Sequence, residues 1–428
     1  MIFRPEYISL LLWSEAYDKT DFFMKNIIYS VIFLFLMGCS EKSEKNNRYT
    51  EGQVSSLNLG QIKARRKKIG SLEIVDINRI LRRNIFAFQD LVKTIRLVPL
   101  ETTKKSRIGP IYKVLATDSH IYIYDKVKSG GLAVFDHEGR FIRRIPNGKG
   151  SGELSGLYDI DFDEENNQLI AYEHSFLSFY SPDGEFIREE SLPFDFFNIM
   201  SIPNGYLISV MPGQGNGGGD AFRDFNLWVT DKNFKVISVE LPSHFVNISY
   251  YTWYRYLYKN KEIIVTQKFN DTIYQYEAET NRLQAKYLLD FHETKLPESY
   301  LEEGYAKFES ASIDNDYFFY IGEYLEAGDF QLFCLRNRHR RSRSVVYRDK
   351  KSGNLTGGAI SGFRIEDMPD LPPPQSTYKD EFISWYTPKK DFPFNTQSKI
   401  LSETDKAKVR DLTKEDNPVL VFFRLNDF

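Results

Sequence analysis

The chain has 428 residues, with 56 lysines and arginines against 59 aspartates and glutamates, a formal net charge of -3, and two cysteines beside 27 tyrosines and 34 phenylalanines. That balance creates no overall field to attract nucleic acid or an acidic polymer, and two cysteines cannot build a disulfide framework. A chain this long outgrows one simple core, and its aromatic, turn-punctuated composition favours many short strands in one closed, repetitive architecture.

The segment from Met24 to Cys39 reads as a signal peptide. Lys25 supplies a positive start, Ile27 to Met37 is an apolar run too short to span a bilayer comfortably, and Gly38 is the small residue before a cut. Residues 1–23 carry Glu15, Asp18, Lys19 and Asp21, a poor leader, so translation is expected to start at Met24. Leu36-Met37-Gly38-Cys39 resembles the bacterial lipobox, which implies cleavage before Cys39, lipidation of its sulfur and stable anchoring in a membrane. The alternative is an uncleaved start-anchor ending at Cys39. Ser40 to Lys45 is a polar tether, and Ser40-Glu41 is similar to the outer-membrane and surface-export pattern of Bacteroidota lipoproteins. From Gln53 to Asp90 the chain is mixed and basic, with Lys63, Arg65, Arg66, Lys67, Lys68, Arg79, Arg82 and Arg83. It reads as a solvated linker, the alternative being contact with anionic head groups. The expected organisation is a signal region at 1–38, lipidated Cys39 and linker at 39–93, and a folded domain at 94–428.

An internal repeat decides the fold class. Ala133-Val-Phe-Asp-His-Glu-Gly139-Arg-Phe-Ile-Arg143 reappears as Ser178-Phe-Tyr-Ser-Pro-Asp-Gly184-Glu-Phe-Ile-Arg188, with a degenerate copy from Leu227 to Ile237. Each copy is strand, tight turn, strand, and the acidic residue followed by glycine provides the positive φ that a short hairpin needs. Upstream lie further strand pairs, Ile111 to Ala116 with His120 to Tyr124, and Tyr158 to Phe162 with Gln168 to Tyr172. Four strands per period predicts an all-β, six-bladed β-propeller of four-stranded antiparallel blades. The blades are expected near 111–147, 157–192, 196–241, 250–291 and 304–350, with Ala359 to Tyr386 supplying part of a sixth. Ile95 to Pro99 and Val419 to Arg424, from opposite ends of the chain, are available to complete that last blade and close the ring. Ser398 to Leu412 has an amphipathic pattern, with Ser402 as a cap and Asp405 in the first turn, and predicts a short C-terminal helix stopped by Asn417-Pro418.

These features resemble the six-bladed β-propeller lipoproteins of Bacteroidota, which are distantly similar to NHL-type propellers. The resemblance rests on Ile95 to Thr103 with Ile108-Gly109, the Phe-Asp-x-x-Gly-x-Phe hairpin, Gly148-Lys-Gly-Ser-Gly-Glu153, Phe269-Asn-Asp-Thr-Ile-Tyr274 and Asp416-Asn-Pro-Val-Leu420. It covers the chain from about residue 94 onward, and it implies no catalytic residues. Gly150-Ser-Gly-Glu stands where such relatives commonly have Gly-Pro-Gly-Glu, and the fifth unit is irregular.

Candidate sites are of the binding kind. Lys149 and Glu153 lie in a glycine-rich turn that reads as a connection between blades and a possible ligand edge; its lysine comes too early for a phosphate loop. Trp253, Tyr254 and Tyr256, within the run Tyr250 to Tyr258 and with Trp228 and Trp385, offer flat amphipathic rings for a sugar or peptide, with Arg255 a candidate beside them, the alternative being blade core. Asp159, Asp161 and Asp163 share one strand face, read as a polar face that lacks the pattern of a calcium loop. Gly213 to Asp220 is a loose excursion, and Arg336 to Arg343 reads as a hairpin tip, the alternative being a grip on phosphate or an acidic glycan. Cys334 reads as a small apolar strand residue. No cofactor or metal is expected, since the six histidines form no paired ligand spacing. The function expected is a non-enzymatic binding module at the outer membrane or cell surface, held by its lipid, with a transporter or a glycan as partner and no nucleic acid. The alternative is a hydrolase of carbohydrate or another polymer with paired carboxylates, such as Asp159 and Glu323, at the channel mouth.

Overall fold

The computed structural model describes residues 72–81, 88–125, 131–173, 176–192, 195–210, 225–242, 256–340, 342–359, 372–388 and 399–428, with Ser55. The signal segment, Cys39 and the tether lie outside them. No helix among the described residues is long and apolar enough to cross a membrane.

Six antiparallel sheets form the blades of a β-propeller. A strand β1 (Glu73–Asp76), a helical turn α1 (Asn78–Leu81) and a strand β2 (Val92–Pro99) come first. Blade 1 follows as β3 (Ile111–Ala116), β4 (Ile121–Asp125), β5 (Leu132–Phe135) and β6 (Phe141–Ile145). Blade 2 is β7 (Leu157–Asp163), β8 (Gln168–Glu173), β9 (Phe176–Tyr180) and β10 (Phe186–Ser191). Blade 3 is β11 (Asn198–Ile202), β12 (Gly205–Ser209), β13 (Phe225–Asp231) and β14 (Val236–Pro242). Blade 4 is β15 (Leu257–Lys259), β16 (Ile263–Gln267), β17 (Asn270–Glu277) and β18 (Arg282–Asp290). Helices α2 (Glu298–Glu302) and α3 (Tyr305–Asp314) intervene before blade 5, which is β19 (Phe319–Ala327), β20 (Phe330–Asn337), β21 (Ser342–Asp349) and β22 (Leu355–Ala359). Blade 6 comprises β23 (Ser376–Tyr378), β24 (Glu381–Tyr386), β25 (Val419–Leu425) and β2, with helix α4 (Glu403–Val409) before its last C-terminal strand.

Ring closure pairs strands from far apart in the sequence. β2 runs antiparallel to β25 from Val92 opposite Leu425 to Pro99 opposite Val419. Helix α4 is capped as its sequence predicts, Ser402 Oγ accepting the Asp405 N–H at 3.0 Å. Asp405 then accepts the Leu97 N–H at 3.1 Å and pins the helix to β2. The hairpin glycines Gly139 and Gly184 have φ of 84° and 81°, as the repeat requires. In the degenerate copy Phe234 holds the equivalent turn at φ 60°.

The boundaries differ from expectation in three places. The fold begins upstream of residue 94, because β1 adds to blade 4 as a fifth strand, parallel to β18. Val75, Ile77, Ile80 and Leu81 fill the seam between blades 4 and 5 against Ile264, Tyr287, Phe318 and Tyr320. Residues 305–314, expected at the start of the fifth unit, are helical, and the blade opens at Phe319. Ala359 ends β22, the outer strand of blade 5, instead of opening the sixth unit. The other seams are similarly apolar: Tyr172 and Phe179 of blade 2 meet Ile199, Tyr206 and Trp228 of blade 3.

Candidate functional site

The first strand of each blade faces the axis, and together the six line a channel of about 1100 Å³ that reaches the turns joining first to second strands. Such a volume slightly exceeds the usual range for ligand pockets. Irregularities in three inner strands place side chains on its wall. β3 gains one residue at Tyr112, between Ile111 opposite Asp125 and Lys113 opposite Tyr124. β7 does the same at Tyr158, between Leu157 and Asp159. In β19 the pairing jumps from Tyr320 opposite Leu335 to Tyr324 opposite Phe333, so Ile321, Gly322 and Glu323 together face Cys334. Bulges re-aim side chains at a cost in regular pairing, and they recur beside functional sites.

The large bulge is held from the neighbouring blade. The Gly322 carbonyl accepts the Tyr258 hydroxyl at 3.0 Å and the Thr266 hydroxyl at 2.6 Å. Gly322 has φ 87°, and a Cβ there meets the Tyr256 ring at 2.6 Å, so this position requires glycine. Glu323 is thereby turned onto Arg343, whose Nη2 lies 2.5 and 2.6 Å from its two carboxylate oxygens.

Charges on the wall and rim meet opposite charges of the same chain. Lys113 contacts Asp159, with Ile160 O at 2.6 Å. Lys350 reaches Glu326 at 2.7 Å, Lys259 reaches Glu164 at 3.2 Å and Lys379 reaches Asp118 at 3.0 Å. The Lys379 and Tyr378 contacts hold the Asp118 carboxyl below the usual carboxylate range. Between these pairs stand Tyr158, Tyr258, Tyr378, Trp385 and Tyr112, the last 39% exposed. Burial, reinforced by Asp159, pushes the Tyr112 phenol up. The result is a channel with aromatic walls and largely paired charges, suited to holding a polar, flat-faced ligand.

The residues singled out in the sequence distribute unevenly. Trp385 and Tyr258 line the channel. Tyr256 is buried core, its N–H donating to Asn198 Oδ1 at 3.3 Å, and Trp228 is buried between blades 2 and 3. Trp253, Tyr254 and Arg255 lie outside the described residues, as do Tyr250, Tyr251 and Gly213 to Asp220. Lys149 is exposed, while Glu153 accepts the Gly150 N–H at 2.9 Å and closes its own turn; neither lines the channel.

Asp159, Asp161 and Asp163 are buried and tie blade 2 to its neighbours. Asp159 and Asp161 accept the N–H groups of Ile199 at 3.1 Å and Ser201 at 2.7 Å, and Asp163 pairs with Lys232 at 2.8 Å. No group of three or more metal-ligating side chains occurs among the described residues. Arg338 and Arg340 are bound to Glu309 and Asp316, docking the arginine-rich turn onto α3 and its C-terminal end. Cys334 is buried, and burial pushes its thiol well up, which makes it inert. Tyr112, Lys113 and Tyr158 line the channel without having been singled out as site residues, and Arg343, expected in a hairpin tip, lines it too. One signal was present: Tyr112-Lys113 and Tyr158-Asp159 stand at the same place in successive repeats, 46 positions apart.

Comparison with known proteins adds family and fold. No curated protein matches the chain. Among solved structures, a Bacteroides fragilis NCTC 9343 protein bearing the name "Putative exported protein" matches with a TM-score of 0.65 and 17% identity, over 83% of this chain and 100% of its own. A protein of unknown function from Bacteroides caccae matches over 58% of this chain and 78% of its own, with 14% identity and a TM-score of 0.33. The family model described as "Domain of unknown function (DUF4934)" matches residues 72–424, from the edge strand β1 to the closing strand β25. The chain belongs to the DUF4934 family.

Proposed function

We propose that this protein is an exported, lipid-anchored binding module, non-enzymatic, that holds its ligand in the mouth of the propeller channel. The observation that carries the reading is the wall itself: bulges in three inner strands turn Tyr112, Tyr158 and Glu323 toward one cavity that Trp385 and Tyr258 also face. Export is supported by the sequence from Met24 to Cys39 and by the name of the Bacteroides fragilis protein of the same fold. The anchor at Cys39, the outer membrane as its place, kinship with lipoprotein propellers of distant NHL type, and a glycan or an outer-membrane transporter as partner all belong to this proposal.

Asp159 and Glu323 do line the same channel, as a hydrolase requires. Each is already engaged by a cation of the chain, Lys113 and Arg343. A glycosidase needs one carboxyl kept neutral as an acid, and nothing in these contacts serves that need. Binding therefore accounts for the wall better than catalysis does.

The test is recovery of the tagged full-length protein from gently solubilised native membranes, beside Trp385→Ala and Cys39→Ala. A companion in near-stoichiometric amount that Trp385→Ala loses supports the channel as the binding site, and release of Cys39→Ala from the membrane supports the anchor. Recovery of wild type and Trp385→Ala alike, both alone, sinks the binding reading.

A further inference from the structure

At the end of the strands away from the mouth turns, the seam of blades 4 and 5 carries a second cluster, outside the channel. The turn between β16 and β17 consists of Lys268 and Phe269. Phe269 holds φ 63°, uncommon for a bulky residue, and its N–H donates to the Tyr320 carbonyl of blade 5 at 3.0 Å. Its ring packs with Phe308 of α3 and Phe319 of β19, at centroid distances of 5.2 and 5.0 Å. Three cations stand around this aromatic floor. Lys268 Nζ lies 4.8 Å from the Phe269 centroid, Arg338 lies 5.8 Å from that of Phe308, and Arg336 pairs across the sheet with Phe319.

Among the described residues one of the three, Arg338, has a carboxylate partner. Arg338 bonds Glu309 at 2.8 Å, whereas Lys268 and Arg336 make no ion pair among the described residues. Burial, reinforced by Arg336 and Arg338, brings the Lys268 ammonium down to about 8. A half-buried lysine under the influence of two guanidiniums works against folding unless an anion offsets the like charges.

We propose that Lys268, Arg336 and Arg338 form a site for a tetrahedral oxyanion, a phosphate or sulfate group, at the seam of blades 4 and 5. An anion there supplies the missing counter-charge, with Lys268 as a point charge and Arg336 as a planar donor fork. The site is independent of the channel and of its ligand.

The test is calorimetric titration of the full chain with inorganic sulfate and inorganic phosphate against sodium chloride at matched ionic strength, with melting temperatures recorded in parallel. The expected result is one saturable site in wild type, weakened about tenfold or more in Lys268→Met and in Arg336→Gln and retained in Lys268→Arg. Lys268→Met is also expected to melt higher than wild type in chloride alone, which separates lost binding from lost folding. Glycerol phosphate distinguishes the sources: binding equal to that of inorganic phosphate assigns the site to phosphate esters such as lipid head groups, and weaker binding assigns it to the free anion. Heats that match those of sodium chloride, or affinities unchanged in both neutral variants, overturn the proposal.

Discussion

Asp159 shows how one side chain joins fold and site. It is buried, bonds Lys113 from blade 1 and accepts the Ile199 N–H from blade 3, so it bridges three consecutive blades. Asp159→Ala removes the carboxylate that balances Lys113 in a mostly buried place and is expected to cost about 3 kcal/mol in urea denaturation. Lys113→Met with Asp159→Leu is expected to restore much of that. Two other buried acids contribute to the response to pH. Burial pushes the Asp163 and Asp405 carboxyls up, but Lys232 with Asn166, and Ser402 with the Leu97 N–H and Lys408, outweigh it and hold both below the usual carboxylate range. The unfolded chain therefore binds more protons than the folded one between the two sets of values. Their stabilisation is complete above about pH 4 and fades as pH falls through the folded values. The melting-temperature gap between wild type and Asp405→Asn is expected to narrow below about pH 4 and to be constant from pH 5 to 7. At this scale the sequence was partly legible. Strand alternation marked Asp159, Asp161 and Asp163 as one face, but it cannot distinguish a face toward the axis from one toward the next blade, which is why Trp228 and Tyr256 proved to be core while Tyr258 and Trp385 reached the channel.

Among the elements, hairpins with strong turn chemistry were readable and irregular strands were not. Gly139 and Gly184 announced their turns because few residues tolerate a φ near 80°. β1 is four residues long and pairs in parallel with a strand more than two hundred positions away, so neither alternation nor a local turn reveals it. β22 contains Gly357 and Gly358, which weaken the strand signal beyond the expected end of the fifth unit near residue 350. The bulges hide for the same reason: an extra residue breaks the period of two on which strand reading depends. Gly322 tests whether the large bulge belongs to the site. Gly322→Ala forces a Cβ onto the Tyr256 ring and a left-handed φ onto alanine, and is expected to cost about 2–4 kcal/mol and to weaken ligand retention. Thr266→Val removes one anchor of the same bulge without steric intrusion. It is expected to weaken retention at a stability loss of about 1 kcal/mol, measured by the same denaturation. Unchanged retention in both variants denies the bulge its role.

For the whole molecule, closure makes the channel possible. β2 and β25, distant in sequence, pair in blade 6, α4 clamps that joint through Asp405, and β1 seals the seam between blades 4 and 5. A closed ring leaves its inner strands rigid enough to present side chains that depart from ideal pairing, and the largely paired charges of the wall favour a ligand chosen by shape and stacking over one drawn by a field. The central claim is that the native ligand occupies this channel. The most direct measurement is photo-crosslinking in intact cells from p-benzoylphenylalanine placed at Trp385 on the wall and, separately, at Ile187, an exposed residue of the outer strand β10. One recurring adduct is expected from position 385 and none of that species from position 187. The same adducts from both positions, or none from position 385, contradict the claim.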